Sequence, residues 1–148
     1  APPSFTHQKL ISEFTQAIGS YIKAHSGTCE VIPAPFAVNL DAEDNDWVEP
    51  DISVICDMNK ISERGCAGAP DWIIEIVSPS SIRMDYVKKL NLYMDSGVRE
   101  YWIVDPSRER TVIYHLESGT APAIFSFDQD ISAGIYDGLI INIANLLK

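Results

Sequence analysis

Trp72-Ile73-Ile74-Glu75-Ile76-Val77-Ser78-Pro79 is the stretch on which the fold turns. Around a single carboxylate, its first six residues are otherwise apolar and mostly β-branched, which reads as a short strand buried on both faces. Directly behind it, Ser78-Pro79-Ser80-Ser81 carries the capping hydroxyls and the proline that open a helix. That helix is expected to run to about Asp95, with Gly97 at its C′ position and an apolar stripe of Ile82, Val87, Leu90, Tyr93 and Met94. Glu100 to Val104 then reads as another strand, ended by Pro106.

Working outward, Leu10, Ile11, Phe14, Ala17, Ile18, Tyr21 and Ile22 recur at helical spacing, with Ser4 or Thr6 as N-cap and Gly27 as the stop. Val31 to Leu40 reads as a strand broken by Pro33 and Pro35, and proline places it at a sheet edge. Val48 to Cys56 is a second buried strand. Asp41 to Asp46 is a polar connection, and Asn59 to Pro70 reads as a loop. Toward the C-terminus, Thr111–Leu116, Ala123–Phe127 and Leu139–Ile143 alternate as hairpin strands do. The expected fold is α/β, a mixed central sheet flanked by helices with extra C-terminal hairpin strands. Residues 1–148 read as one domain, with no repeat or internal linker.

With 46% hydrophobic and 22% charged residues, the chain is not a disordered one. No apolar run is long enough to cross a bilayer, so no membrane partner is expected. The chain opens at Ala1 without a methionine or the basic and apolar regions of a signal peptide, which fits processing or residues missing before it. Cys29, Cys56 and Cys66 are odd in number and form no C-x-x-C pair, which points to reduced thiols in a cytoplasm. The net charge of −10 argues against tight, unaided gripping of nucleic acid, though a local basic patch and a bound cation can reverse the field at a site.

Chemistry is expected where charge is expensive. An ionised Glu75 inside its apolar run must be paired, bind a metal, or shift its pKa and become neutral. Asp51 opens the neighbouring apolar run Ile52-Ser53-Val54-Ile55. If the two strands adjoin, Asp51 and Glu75 can converge on Mg²⁺ or Mn²⁺, hard ions that take oxygen ligands. Pairing of each carboxylate with a basic side chain is the competing reading. Lys89, on the helix after Glu75, either reaches the mouth of this site or pairs with Asp85 one turn earlier.

Four ordered motifs then carry a resemblance. They are Glu49-Pro50-Asp51-Ile52-Ser53-Val54-Ile55, Ala69-Pro70-Asp71-Trp72-Ile73-Ile74-Glu75-Ile76-Val77-Ser78-Pro79-Ser80, Asp85-x-x-x-Lys89-x-x-x-Tyr93, and Gly97-Val98-Arg99-Glu100-Tyr101-Trp102-Ile103-Val104-Asp105-Pro106. Together with His7 they resemble a large bacterial family of uncharacterised endonucleases in the restriction-endonuclease-like PD-(D/E)xK superfamily. The resemblance implies that Asp51, Glu75 and the Ile76 carbonyl ligate Mg²⁺ or Mn²⁺, with Glu49 and Asp71 as secondary carboxylates. The superfamily lysine normally stands two residues after the glutamate, where this chain has Val77; the resemblance transfers that role to Lys89 on the following helix. The implied activity is endonucleolytic hydrolysis of DNA, in which the cation neutralises phosphate charge and activates water while Lys89 stabilises the transition state. A homodimer, with the C-terminal hairpins as its interface, would cut both strands. The alternative is a non-catalytic interaction protein that keeps the fold, which the acidic balance favours.

Other patterns carry less. Asp41 to Asp46 has Asp46 and Ile52 where a calcium loop needs Gly and Glu. Gly65-Cys66-Ala67-Gly68 lacks the Lys-Ser/Thr of a phosphate loop. His7, His25 and His115 have no metal-ligand spacing; His7 could approach the site from the first helix, but a surface or capping role is the expected one. Trp72, Tyr101 and Trp102 read as core, and Arg83 and Lys88 as either a basic patch or a solvated face.

Overall fold

The computed structural model describes residues 2–41, 43, 45–79 and 83–148, without the side chains of 83–85. Helix α1 spans Phe5–Ala24, followed by β1 Glu30–Pro33, β2 Val38–Asn39, β3 Trp47–Val48 and β4 Ile52–Ile55. A 3-10 turn at Met58–Lys60 leads to β5 Ile61–Ser62, β6 Gly65–Ala67 and β7 Trp72–Ile76. Helix α2 is Arg83–Ser96; then come β8 Glu100–Asp105, β9 Arg110–His115, β10 Ala123–Ser126, β11 Ile131–Ser132, β12 Ile140–Ile141 and α3 Ile143–Leu146.

The central sheet has six strands in the order β1-β4-β7-β8-β9-β10. Its pairings are antiparallel except β7 with β8, which the α2 crossover makes parallel. The proline-bearing β1 is an edge strand, as Pro33 requires. Period-2 alternation along β7 splits the core. Trp72, Ile74 and Ile76 pack with Leu10, Phe14 and Ile18 of α1, while Ile73 packs with Tyr93 of α2 and Tyr101 of β8 on the other face. Each fully buried side chain of this size contributes about 1.5–3 kcal/mol. The β11–β12 pair and α3 close over the α1 face.

Ser4, not Thr6, caps α1, its hydroxyl accepting the His7 N–H. At the other end Gly27 N–H bonds Ile22 O and Ser26 N–H bonds Lys23 O, so the left-handed position is filled by Ser26 (φ 50°), one residue before the glycine. Gly97 (φ 95°) ends α2 as expected. Ser80 and Ser81 of the expected opening of that helix, and Ile82 of its expected stripe, lie outside the described residues.

Four expectations need correction. Val31–Leu40 and Val48–Cys56 are each divided between the central sheet and a second, four-stranded sheet of order β3-β2-β6-β5. Asn59–Pro70 is not loop: it supplies β5 and β6 of that sheet, where Gly65 (φ 130°) lets the backbone pass Ala37, a Cβ there falling 2.2 Å from the Ala37 carbonyl oxygen. Val87 and Met94 are 52% and 48% exposed, so the buried side of α2 is set by Tyr93 with Leu90 and Leu92 at its margin. Cys29 and Cys56 form a disulfide, since the β1–β4 register continued one pair past Glu30↔Ile55 places them opposite. The thiol count therefore says nothing about compartment, and only Cys66 stays free, buried in the core. Among the described residues no helix is long and apolar enough to cross a membrane.

Candidate metal centre

The β4–β7 register pairs Ile52 with Ile74; one step further, Asp51 stands across from Glu75 on the α2 face of the sheet. Facing residues in such a ladder have Cβ atoms about 4.5–5.5 Å apart. Local bonds fix both carboxylates. The Ile76 N–H donates to Asp51 Oδ2 at 2.7 Å, and His7 Nε2 lies 3.4 Å from the same oxygen. The Ser4 cap holds His7 in the first turn of α1, aimed at the sheet end.

Glu75 is 4% exposed. Two donors from consecutive turns of α2 meet at its Oε1: Tyr93 hydroxyl at 3.0 Å and Lys89 Nζ at 3.4 Å. Residues four apart on a helix share a face, so a single helix face supplies both. The Lys89 side chain is about a third exposed and forms the mouth of the site, whereas Tyr93 is its closed floor. Lys89 thus reaches the carboxylate, and the side chain of its alternative partner Asp85 lies outside the described residues.

Burial raises the Glu75 carboxyl to about 7 from its ordinary 4.5; Lys89 opposes the rise and the negative charge of Asp51 adds to it. Burial also pushes the Tyr93 hydroxyl upward, keeping it a donor. Two apposed carboxylates with one partly solvated ammonium leave negative charge undercompensated in a low-dielectric site. A hard divalent cation fits this donor set, with Asp51, Glu75 and the Ile76 carbonyl available to hold it. Among the described residues, no cluster of three or more His, Cys, Asp or Glu side chains is arranged as a ready metal cage.

The remaining expected carboxylates are not brought to this pair. Asp71 stands four residues before Glu75 on the same face, roughly 13 Å away along the strand. It accepts from Cys56 N–H at 2.8 Å and faces Arg99 at 3.4 Å. Glu49 is exposed on the approach to β4. Trp72, Tyr101 and Trp102 are fully buried, as read from the sequence. Tyr93 is core as expected; what sequence reasoning missed is that its hydroxyl also bonds Glu75, and that His7, for which a surface or capping role was expected, reaches Asp51. The signal was present for Tyr93 in its i+4 spacing from Lys89. Glu100 is a second buried carboxylate, on the opposite face, where it accepts from Trp102 Nε1 (2.6 Å) and Gly134 N–H (3.2 Å) and anchors the C-terminal segment.

The architecture superposes on a solved structure described as a putative nuclease belonging to DUF820 from Anabaena variabilis ATCC 29413, with a TM-score of 0.80 and 22% identity over 99% of this chain and 82% of that one. A restriction-endonuclease-like fold is thereby established. No curated protein matches the chain. Residues 1–143 match the Uma2 family, whose description is "Putative restriction endonuclease", and the chain belongs to that family.

Proposed function

We propose that the protein is a Mg²⁺- or Mn²⁺-dependent endonuclease that hydrolyses DNA phosphodiesters, with Asp51, Glu75 and Lys89 as its working residues. The observation that carries this reading is the cross-strand Asp51–Glu75 pair with Lys89 on the glutamate. Asp51, Glu75 and the Ile76 carbonyl would hold the cation. When bound, it supplies charge neutralisation at the phosphate and a lowered pKa for water.

The chain's own residues do the rest. Tyr93 and Lys89 engage Glu75 Oε1, and Ile76 N–H and His7 engage Asp51 Oδ2, which fixes the two carboxylates that would hold the cation. Lys89, at the open side of the site, places positive charge where the pentacovalent phosphate gains negative charge, an effect worth roughly 10²–10³ in rate. The first turn of α1, which carries His7, lies at the same sheet end and adds a favourable dipole. Double-strand cleavage would use a homodimer, for which exposed Ile140 in the C-terminal strands is available.

Nicking of supercoiled plasmid tests the reading. Wild type is expected to produce relaxed circles with Mg²⁺ or Mn²⁺ and none in EDTA, and Glu75→Gln none in either. Folded wild type that nicks no DNA with either ion overturns the reading in favour of a non-catalytic family member.

A further inference from the structure

The row of residues that begins with the carboxylates does not end there. Glu75 pairs with Ile103, Ile103 with Val112, and Val112 with Ile124, all on the α2 face. Beyond Ile103 this face leaves the cover of α2 and becomes the floor of an open groove of about 370 Å³. One wall is Tyr86 and Val87 of α2; Tyr114, Arg108 and Arg110 line it from β9 and the turn before β9. Val87 is half exposed and Ile124 is 63% exposed, so the apolar surface stays open at its outer end.

We propose that this groove receives the DNA strand flanking the scissile phosphate, with a phosphate on Arg110 and a base against Tyr86 and Tyr114. The inference rests on the nuclease reading. Three features select this occupant. Among the described residues, the charged lining is Asp105, Arg108 and Arg110, a balance of −1 + 2 = +1 within a chain of −10. Arg108 is held by Asp105 at 3.0 Å, which assigns the phosphate to Arg110, an exposed residue on the same face as Val112 and Tyr114. Tyrosine and apolar surface beside a cation is the combination that binds nucleic-acid strands, since every base offers a face to stack.

The placement also fits. Val112 lies two strands from Glu75, roughly 10 Å at sheet spacing. That is about three nucleotide rises of 3.4 Å. The groove shares Tyr86 with the site, where the Lys89 ammonium lies 5.6 Å from the ring centroid. A strand whose phosphate meets Lys89 would run directly into it.

Fluorescence anisotropy with a labelled oligonucleotide, single-stranded and duplex, tests this in EDTA, where binding is read without cleavage. Across a salt series, Arg110→Gln is expected to lower the log–log salt slope by about 1, the loss of one phosphate contact. Tyr114→Leu is expected to weaken binding about tenfold with the slope unchanged. Arg64→Gln, on the exposed β5–β6 turn, should change neither. An Arg110→Gln variant with the wild-type slope, or an Arg64→Gln variant with an equal loss, overturns the groove assignment. If wild type nicks DNA while Arg110→Gln binds it unchanged, only this inference falls. If wild type binds neither form in EDTA, the groove assignment falls, while the nuclease reading stands or falls on plasmid nicking with Mg²⁺ or Mn²⁺.

Discussion

Replacing Glu75 by glutamine should make the metal-free protein more stable at neutral and alkaline pH. The carboxyl is 4% exposed, and burial raises it to about 7, with Lys89 opposing and Asp51 adding. Between the ordinary value of 4.5 and about 7, the folded protein keeps a proton that the unfolded chain gives up. Stability therefore falls as pH rises through that window and levels off above it. The difference of 7 − 4.5 = 2.5 pH units, at about 1.4 kcal/mol each, amounts to about 3 kcal/mol of ionisation cost at pH 8. Glutamine has the shape of the protonated acid and never incurs that cost. In urea unfolding with EDTA, Glu75→Gln should match wild type near pH 4.5 and exceed it by up to about 3 kcal/mol at pH 8, roughly 6–12 °C in Tm. Adding Mn²⁺ should close the gap by stabilising wild type alone. A variant less stable than wild type at pH 8 without metal would refute the reasoning, because the buried charge would then be a net contributor to the fold.

Other outcomes follow from single contacts. Lys89→Met removes the ammonium at the mouth and should lower plasmid nicking roughly 10²–10³-fold while leaving a folded protein by circular dichroism. Tyr93→Phe deletes the 3.0 Å bond to Glu75 Oε1, and calorimetry should find Mn²⁺ affinity down roughly 10–100-fold. Gly65→Ala places a methyl 2.2 Å from the Ala37 carbonyl oxygen at a φ of 130°, and thermal unfolding should record a loss of more than about 2 kcal/mol.

How much of this was legible in the sequence depended on whether the signal was local. Glu75 stood out because a carboxylate in an apolar, β-branched run is costly wherever the strand goes. Gly97 and the edge position of β1 were legible because glycine and proline act through their own backbone. Strands of two or three residues, such as β2, β5 and β6, are too short for any period, so the second sheet was read partly as loop. Val87 and Met94 look like core by hydrophobicity, but the sheet beneath α2 meets only one side of the helix. The opposition of Asp51 to Glu75, the Cys29–Cys56 bond and the reach of His7 to Asp51 are matters of strand register and helix docking, which no spacing along the chain encodes. Lys89 had two reachable partners by sequence alone, and only the packing of α2 brought it to Glu75.

The central claim, that Asp51 and Glu75 hold one divalent cation, is met most directly by titrating Mn²⁺ into the metal-free protein in a calorimeter at pH 8. Wild type is predicted to bind at a site that Glu75→Gln abolishes and Asp51→Asn weakens severely, with both variants folded. Wild type that takes up no Mn²⁺, or Glu75→Gln that binds it as tightly as wild type, would contradict the account.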